Sequence, residues 1–190
     1  QNELIRMINT SVLIDDRPSA FRYPRGAGEI DNTNLNYDSL EIGKGIIIKE
    51  GNDVAILNLG TRMQSCEEAI KLLNSHNIYP TLADARFAKP IDKNLIDNLL
   101  DHHKYLITIE EGSSGGFGSS VLNYIHNERR KSTLTKVNNI YFPDKFIDHQ
   151  SPEDQYKEIG MDADSIANKI TKFYQDNIID FETYNKNIKN

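Results

Sequence analysis

The stretch Tyr105 to Ser120 (YLITIEEGSSGGFGSS) constrains the fold more than any other part of the chain. It opens on an apolar run, Tyr105, Leu106, Ile107 and Ile109, with the length and β-branched content of a strand buried inside a parallel sheet. Glu110 and Glu111 stand where that strand ends, a turn of Gly and Ser follows, and Phe117 to Ile125 carries a helical pattern. Strand, glycine turn and helix in this order form the βα unit of an open α/β sheet, whose ligands gather outside the carboxyl ends of the strands. Gly115, Gly116 and Gly118 admit φ > 0 and close backbone approach, and the free N–H groups of a helix start can hold an anion. The spacing is neither GxGxxG nor a P-loop, which favours a packing role for these glycines over a ligand-binding one.

The chain has 190 residues, 38% of them hydrophobic and 26% charged, which suits one domain, or one domain with attached pieces of another. A chain of that length buries a sizeable core without disulfides or metal. A net charge of −6 with no Lys/Arg stripe argues against nucleic acid as a partner. Arg129, Arg130 and Lys131 read as a solvated helix end. The single cysteine, Cys66, rules out an intrachain disulfide framework and suits a reducing compartment. Its neighbours Glu67 and Glu68 raise a thiol pKa, which disfavours a nucleophile. No run of about 18 apolar residues is present, so no helix is expected to span a membrane. The chain begins at Gln1 with neither Met nor a leader pattern and reads as cut at its start.

Leu4 to Ile14 fits one face of a helix that ends at Asp15-Asp16-Arg17-Pro18. Ser19 to Pro24 reads as a short aromatic strand, and Ala27 to Ser39, polar and rich in Asn, as a linker. A regular alternation then begins. Gly45–Lys49 and Val54–Leu59 read as strands around the turn Glu50–Asp53, as antiparallel neighbours. Met63–Ser75 reads as an amphipathic helix, Thr81–Ala85 as a third strand, and Asp92 as the cap of a helix running to Leu100. After the central βα unit come a strand at Val137–Phe142, a helix capped by Ser151-Pro152, and a last helix from Asp162 to Tyr174. The remainder, rich in Asn and Lys, is expected to fray. The fold class expected is α/β: an open, mostly parallel five-stranded sheet with helices on both faces and right-handed crossovers.

Residues with chemical potential are few. His76, His102, His103, His126 and His149 show no metal-ligand spacing, and His102-His103 lies at a helix end, where imidazole suits the dipole. Neither GxSxG nor a P-loop is present. Asp84 and Arg86 end one strand and Glu110 and Glu111 the next, a grouping that fits a structural ion-pair network better than a catalytic set. Arg17, Arg22 and Arg25 lie close together beside Gly26. A guanidinium there suits a phosphate through paired N–H donors, or an ion pair with Asp15 or Asp16. Chemistry alone leaves both open.

The run DDRPSAFRYPRG (Asp15 to Gly26) closely resembles the end of the pyrimidine-binding domain of the 1-deoxy-D-xylulose-5-phosphate synthase family. LEIGKG (Leu40 to Gly45), NLGT (Asn58 to Thr61), DARFAKPID (Asp84 to Asp92), ITIEEGSSGGFGS (Ile107 to Ser119) and PDKFIDHQSPEDQ (Pro143 to Gln155) match the same family in order and spacing. Transketolase and the beta subunit of 2-oxo acid dehydrogenases share the architecture. The resemblance implies residues 1–26 as the end of the middle domain, 27–39 as a linker, 40–176 as a transketolase C-terminal-like domain, and 177–190 as a disordered tail. It implies an enzyme that uses thiamine diphosphate and Mg2+ to condense pyruvate with glyceraldehyde 3-phosphate, releasing carbon dioxide, at the opening of the non-mevalonate isoprenoid route. In such an enzyme the cofactor carries the hard chemistry and the protein positions and polarises.

Arg25 matches the family arginine that binds the phosphate of the aldehyde. It is the one functional residue carried over; no catalytic, cofactor-binding or metal residue is. The family's GDG motif, the glutamate that activates the cofactor and the pocket histidines have no counterpart here. This implies a C-terminal fragment, inactive alone, whose partners are the upstream domains of the same protein and a second copy in a homodimer. The Asn, Ile and Lys bias suggests an AT-rich genome and, with this enzyme, a plastid-like organelle such as an apicoplast; the other location is the cytoplasm. Two readings compete: the C-terminal half of a transketolase or dehydrogenase beta subunit, and a non-catalytic assembly module.

Overall fold

A computed structural model describes residues 2–24 and 35–188. Helix α1 (Asn2–Val12) comes first. Strands β1 (Ile46–Lys49) and β2 (Val54–Leu59) are followed by α2 (Met63–Ser75), β3 (Thr81–Asp84) and α3 (Lys93–His102). Strand β4 (Tyr105–Glu110) leads to α4 (Phe117–Asn123), which widens into a π-helical turn at Tyr124–Glu128. Strand β5 (Lys136–Ile140), α5 (Pro152–Glu158) and α6 (Ala163–Ile188) complete the chain.

The five strands form one sheet in the order β1-β3-β2-β4-β5. Strands β3, β2, β4 and β5 run parallel, and β1 pairs antiparallel with β3 at one edge. Side-chain alternation puts helices on both faces. Val54, Ile56 and Ile107 pack with Ile70 and Leu73 from α2, Ile170 from α6 and Met161 from the turn before α6. Ala55, Leu57 and Leu106 pack with Ile96, Leu99, Phe117 and Val121 from α3 and α4. Central β2 and β4 are apolar on both faces because both faces are covered.

One pairing departs from the sequence reading. Strands β1 and β2 are not neighbours, because β3 lies between them. The turn Glu50–Asp53 reverses the chain as expected, but it passes across the start of β3. The Asn52 N–H donates to the Tyr79 carbonyl at 2.6 Å, and the Gly51 N–H to Thr81 Oγ1 at 2.9 Å. A Cβ on Gly51 would stand 2.2 Å from the Tyr79 oxygen, so only glycine fits this crossing. Strand β2 then takes a parallel partner on each side.

Both caps read from the sequence are made. Asp92 Oδ1 accepts from the Leu95 N–H at 3.0 Å, and its other oxygen accepts from Gly45 N–H, also at 3.0 Å. Ser151 Oγ accepts from the Asp154 N–H at 3.1 Å, with Pro152 opening the helix. Ser19–Pro24, read as a strand, is irregular. Its rings, Phe21 and Tyr23, lie 6.2 Å apart and tilted, and no neighbouring strand pairs with the segment among the described residues. Strand β5 stops at Ile140, short of Phe142. Helix α6 continues past Tyr174 to Ile188. Phe173 and Tyr174 there pack edge-on against Tyr105, with ring centroids 5.8 and 5.3 Å away.

Candidate functional site

Strand β2 connects through α2 to β3 on one side, whereas β3 connects through α3 to β4 on the other. The direction of winding therefore switches at β2, and the crevice between the carboxyl ends of β2 and β4 is where an open sheet of this kind offers a ligand site. Two turns meet there: Gly60-Thr61-Arg62 after β2, and Glu110 to Gly116 after β4.

Glu110 fills the second turn. Its carboxylate, 7% exposed, accepts from the Phe117 N–H at 2.9 Å and the Gly118 N–H at 2.8 Å. It thus supplies the negative charge that a helix start attracts. A Cβ on Gly112 or Gly116 would lie 2.3 or 2.4 Å from Glu110 Oε2, and one on Gly118 would lie 2.7 Å from Thr108 Oγ1. The glycine turn is folded around a side chain of its own strand, and the N–H groups an external anion would need are taken. Gly116 and Gly118 have the packing role expected of them, whereas Gly115, with open space where a Cβ would stand, serves the turn through its φ of +93°.

Glu111 turns the other way, to Arg62. Nε of Arg62 lies 2.8 Å from Glu111 Oε1, with 13% of the arginine side chain and 22% of the glutamate side chain exposed. The guanidinium sits 3.4 Å above the Tyr156 ring of α5, a cation–π contact strengthened by desolvation. Burial, then the hydrogen bond to Glu111, raises the Tyr156 phenol above its usual range. This cluster closes the crevice and ties the β2–α2 turn, β4 and α5 together. Sequence reasoning missed Arg62 and Tyr156, whose partners are distant in sequence.

Asp84 and Arg86 do not join the two glutamates. In register, Asn58 of β2 pairs with Asp84 on one side, and Leu59 of β2 with Glu110 on the other, so β2 separates them. The Arg86 guanidinium instead grips Glu3 of α1 through Nε at 2.8 Å and Nη2 at 2.9 Å. Asp84 Oδ1 accepts from the Arg86 N–H at 2.9 Å. Burial pushes the Asp84 carboxyl up, that N–H pulls it down, and the nearby Glu3 charge adds to the rise.

The remaining candidates are engaged structurally. Burial pushes the Cys66 thiol up to about 12, which rules out a thiolate nucleophile near neutral pH. His103 is buried: its Nδ1 meets the Leu99 carbonyl at 2.9 Å and so carries the proton, leaving Nε2 to accept from Thr81 Oγ1 at 2.7 Å. Arg129 reaches Asp97 at 2.7 Å and Asp101 at 2.6 Å. Arg17 pairs with Asp16, and Arg22 is exposed. Arg25 lies outside the described residues. Among the described residues, no three His, Cys, Asp or Glu side chains are grouped to hold a metal ion, and no helix is long and apolar enough to cross a membrane.

The sequence profile of the transketolase C-terminal domain matches residues 43–166, which hold all five strands and both turns of the crevice. The chain belongs to the transketolase C-terminal domain family. A relative from Oryza sativa subsp. japonica, described as a probable chloroplastic 1-deoxy-D-xylulose-5-phosphate synthase 2, is 45% identical over 167 residues. That match covers 87% of this chain and 23% of the rice protein, so the chain spans about a quarter of that relative. A solved structure titled as a split-gene transketolase, an inactive β4 tetramer, superposes with a TM-score of 0.63 at 29% identity, covering 70% of this chain and 43% of the other. A Pichia stipitis transketolase mutant solved with xylulose 5-phosphate has a TM-score of 0.50 at 14% identity, covering 70% of this chain and 18% of that one, and shares the fold alone. The Arg62–Glu111–Tyr156 cluster and the Glu110 cradle both lie within the matched residues.

Proposed function

We propose that this chain is the C-terminal portion of a 1-deoxy-D-xylulose-5-phosphate synthase, inactive alone, which in the assembled enzyme condenses pyruvate with glyceraldehyde 3-phosphate and releases carbon dioxide. The observation that carries the reading is the 45% identity to the rice protein across 87% of the chain, wider than the family domain itself. The DDRPSAFRYPRG run, whose wording resembles the synthase and which precedes the family domain, supports the same reading. Residues 1–26 are the end of the preceding domain, 27–39 the linker, 40–176 the third domain, and 177–190 a tail. Arg25 binds the aldehyde phosphate through paired N–H donors. The upstream domains and a second copy are the partners, and the chloroplastic relative supports a plastid-type location, apicoplast included.

Thiamine diphosphate and Mg2+ are the cofactors this reading implies, and the residues described here do not fit them. The two carboxylates nearest the crevice are already engaged, Glu110 by two backbone N–H groups and Glu111 by Arg62. On this reading the cofactor site belongs to the upstream polypeptide. The split-gene transketolase, whose β chain alone is titled inactive, supports the same division of labour.

Reconstitution tests the reading. The chain is mixed with the separately produced upstream polypeptide, thiamine diphosphate, Mg2+ and both substrates, and formation of deoxyxylulose phosphate is followed. Activity only in the mixture is expected. A silent mixture of two folded, associated pieces would overturn the assignment and move the transketolase or dehydrogenase relatives ahead.

A further inference from the structure

Among the described residues, the ion pair between Glu3 and Arg86 is the one that joins α1 to the sheet, across 83 positions of sequence. Its construction is costly. Arg86 takes φ of +56°, a left-handed conformation that disfavours any residue with a Cβ. Its side chain is 10% exposed, while that of Glu3 is 44% exposed. Beside it Asp84 is buried in a setting that disfavours its charge, yet its Oδ1 holds the Arg86 N–H and so fixes the strained backbone.

A buried ion pair adds little stability over an apolar contact of the same size. What this contact does supply is a fixed approach: Arg86 Nη2 donates to Glu3 Oε1 at 2.9 Å, and the charged Nε stands 2.8 Å from Oε2. Helix α1 is held on a second side by the strap that re-enters the domain. The Leu40 N–H donates to Thr10 Oγ1 at 2.7 Å and Arg6 Nε to the Asp38 carbonyl at 3.2 Å. Two separate attachments leave α1 no freedom to swivel on the sheet.

We propose that Glu3 and Arg86 are a positioning pair, through which the third domain sets the orientation of the end of the preceding domain and so the geometry of aldehyde binding. This rests on the reading of the chain as part of the synthase. Neither residue touches substrate; both act through α1.

The test uses the full-length enzyme with Glu3→Gln, Arg86→Gln and the pair combined, and Arg25→Ala as a control. Each single change is expected to lower kcat/KM for the phosphorylated aldehyde by roughly 10- to 100-fold, the effect of a misplacement on the order of 1 Å. The KM for pyruvate stays as it was, and the double variant is no worse than Glu3→Gln alone, which already loses the Arg86 contact together with the one to Arg6 Nη1 at 3.3 Å. Equal losses for both substrates together with a lowered Tm would reduce the pair to a structural role and overturn the inference. An effect of Arg25→Ala without any effect of Glu3→Gln or Arg86→Gln would overturn it while leaving the synthase reading standing. No effect of Arg25→Ala on the aldehyde would overturn the reading itself.

Discussion

Asp84 shows how burial at one residue sets a pH response. Its folded pKa lies above the ordinary value of 3.8, chiefly through burial, so the folded chain holds the proton more tightly than the unfolded one. The resulting stability is fully present below the unfolded pKa and is lost as pH rises through the folded one. Asp84→Asn mimics the neutral form and keeps an oxygen for the Arg86 N–H. Its Tm is expected to exceed that of the wild type near neutral pH, with the difference shrinking toward about pH 3.5. Thermal unfolding followed across that range checks this. A difference that does not vary with pH would mean that desolvation of the charge is not the cause. Cys66 and Tyr124 are pushed the same way, each to about 12, and stay neutral throughout.

At the scale of the element, β4, its turn and α4 form one unit built around the Glu110 carboxylate. Gly112→Ala places a methyl group against that carboxylate and is expected to cost about 1–3 kcal/mol, as overpacking does. Glu110→Ala leaves the Phe117 and Gly118 N–H groups unsatisfied, at a similar cost of about 1–3 kcal/mol. The two changes together should cost less than their sum, because the second removes what the first collides with. Denaturant unfolding of the four proteins measures the coupling, and strict additivity would show that Glu110 does not dictate glycine at that position.

The strand, the turn and the helix were each legible in the sequence, since apolar runs, glycines and caps are local signals. The turning-in of Glu110 was not, because it depends on where the N–H groups of the next helix arrive. The pairing of β1 was misread for a related reason. A reversing turn at Glu50–Asp53 specifies a change of direction, but whether β1 lands beside β2 or one strand further on depends on β3, which comes later in the chain. Arg62 with Glu111 and Arg86 with Glu3 are contacts between distant segments, and no spacing rule in a single sequence announces them.

For the whole molecule, exposed apolar side chains are densest ahead of the family domain: among the described residues, seven of the fourteen large ones precede residue 43. Val12, Leu13, Tyr23 and Tyr37 are 70%, 69%, 68% and 62% exposed, and all precede the family domain that begins at residue 43. Exposed apolar surface gathered on α1 and the segments flanking it marks a surface able to associate with another polypeptide. The isolated chain should therefore self-associate through this end, and a chain beginning at Ser39 should be more nearly monodisperse. Removing residues 1–38 also uncovers the surface beneath Glu3 and Arg6, but that surface carries Arg86 and Asp84 and is charged. Sedimentation velocity of the two proteins over a range of concentrations decides the matter. Equal association of the long and short chains would place the sticky surface on the domain itself, where Leu134 and Phe146 are the most exposed apolar side chains. Loss of association on trimming, together with a defined complex that the long chain forms with the upstream polypeptide and the trimmed chain does not, would show that α1 and its flanks carry the contact between this chain and that polypeptide.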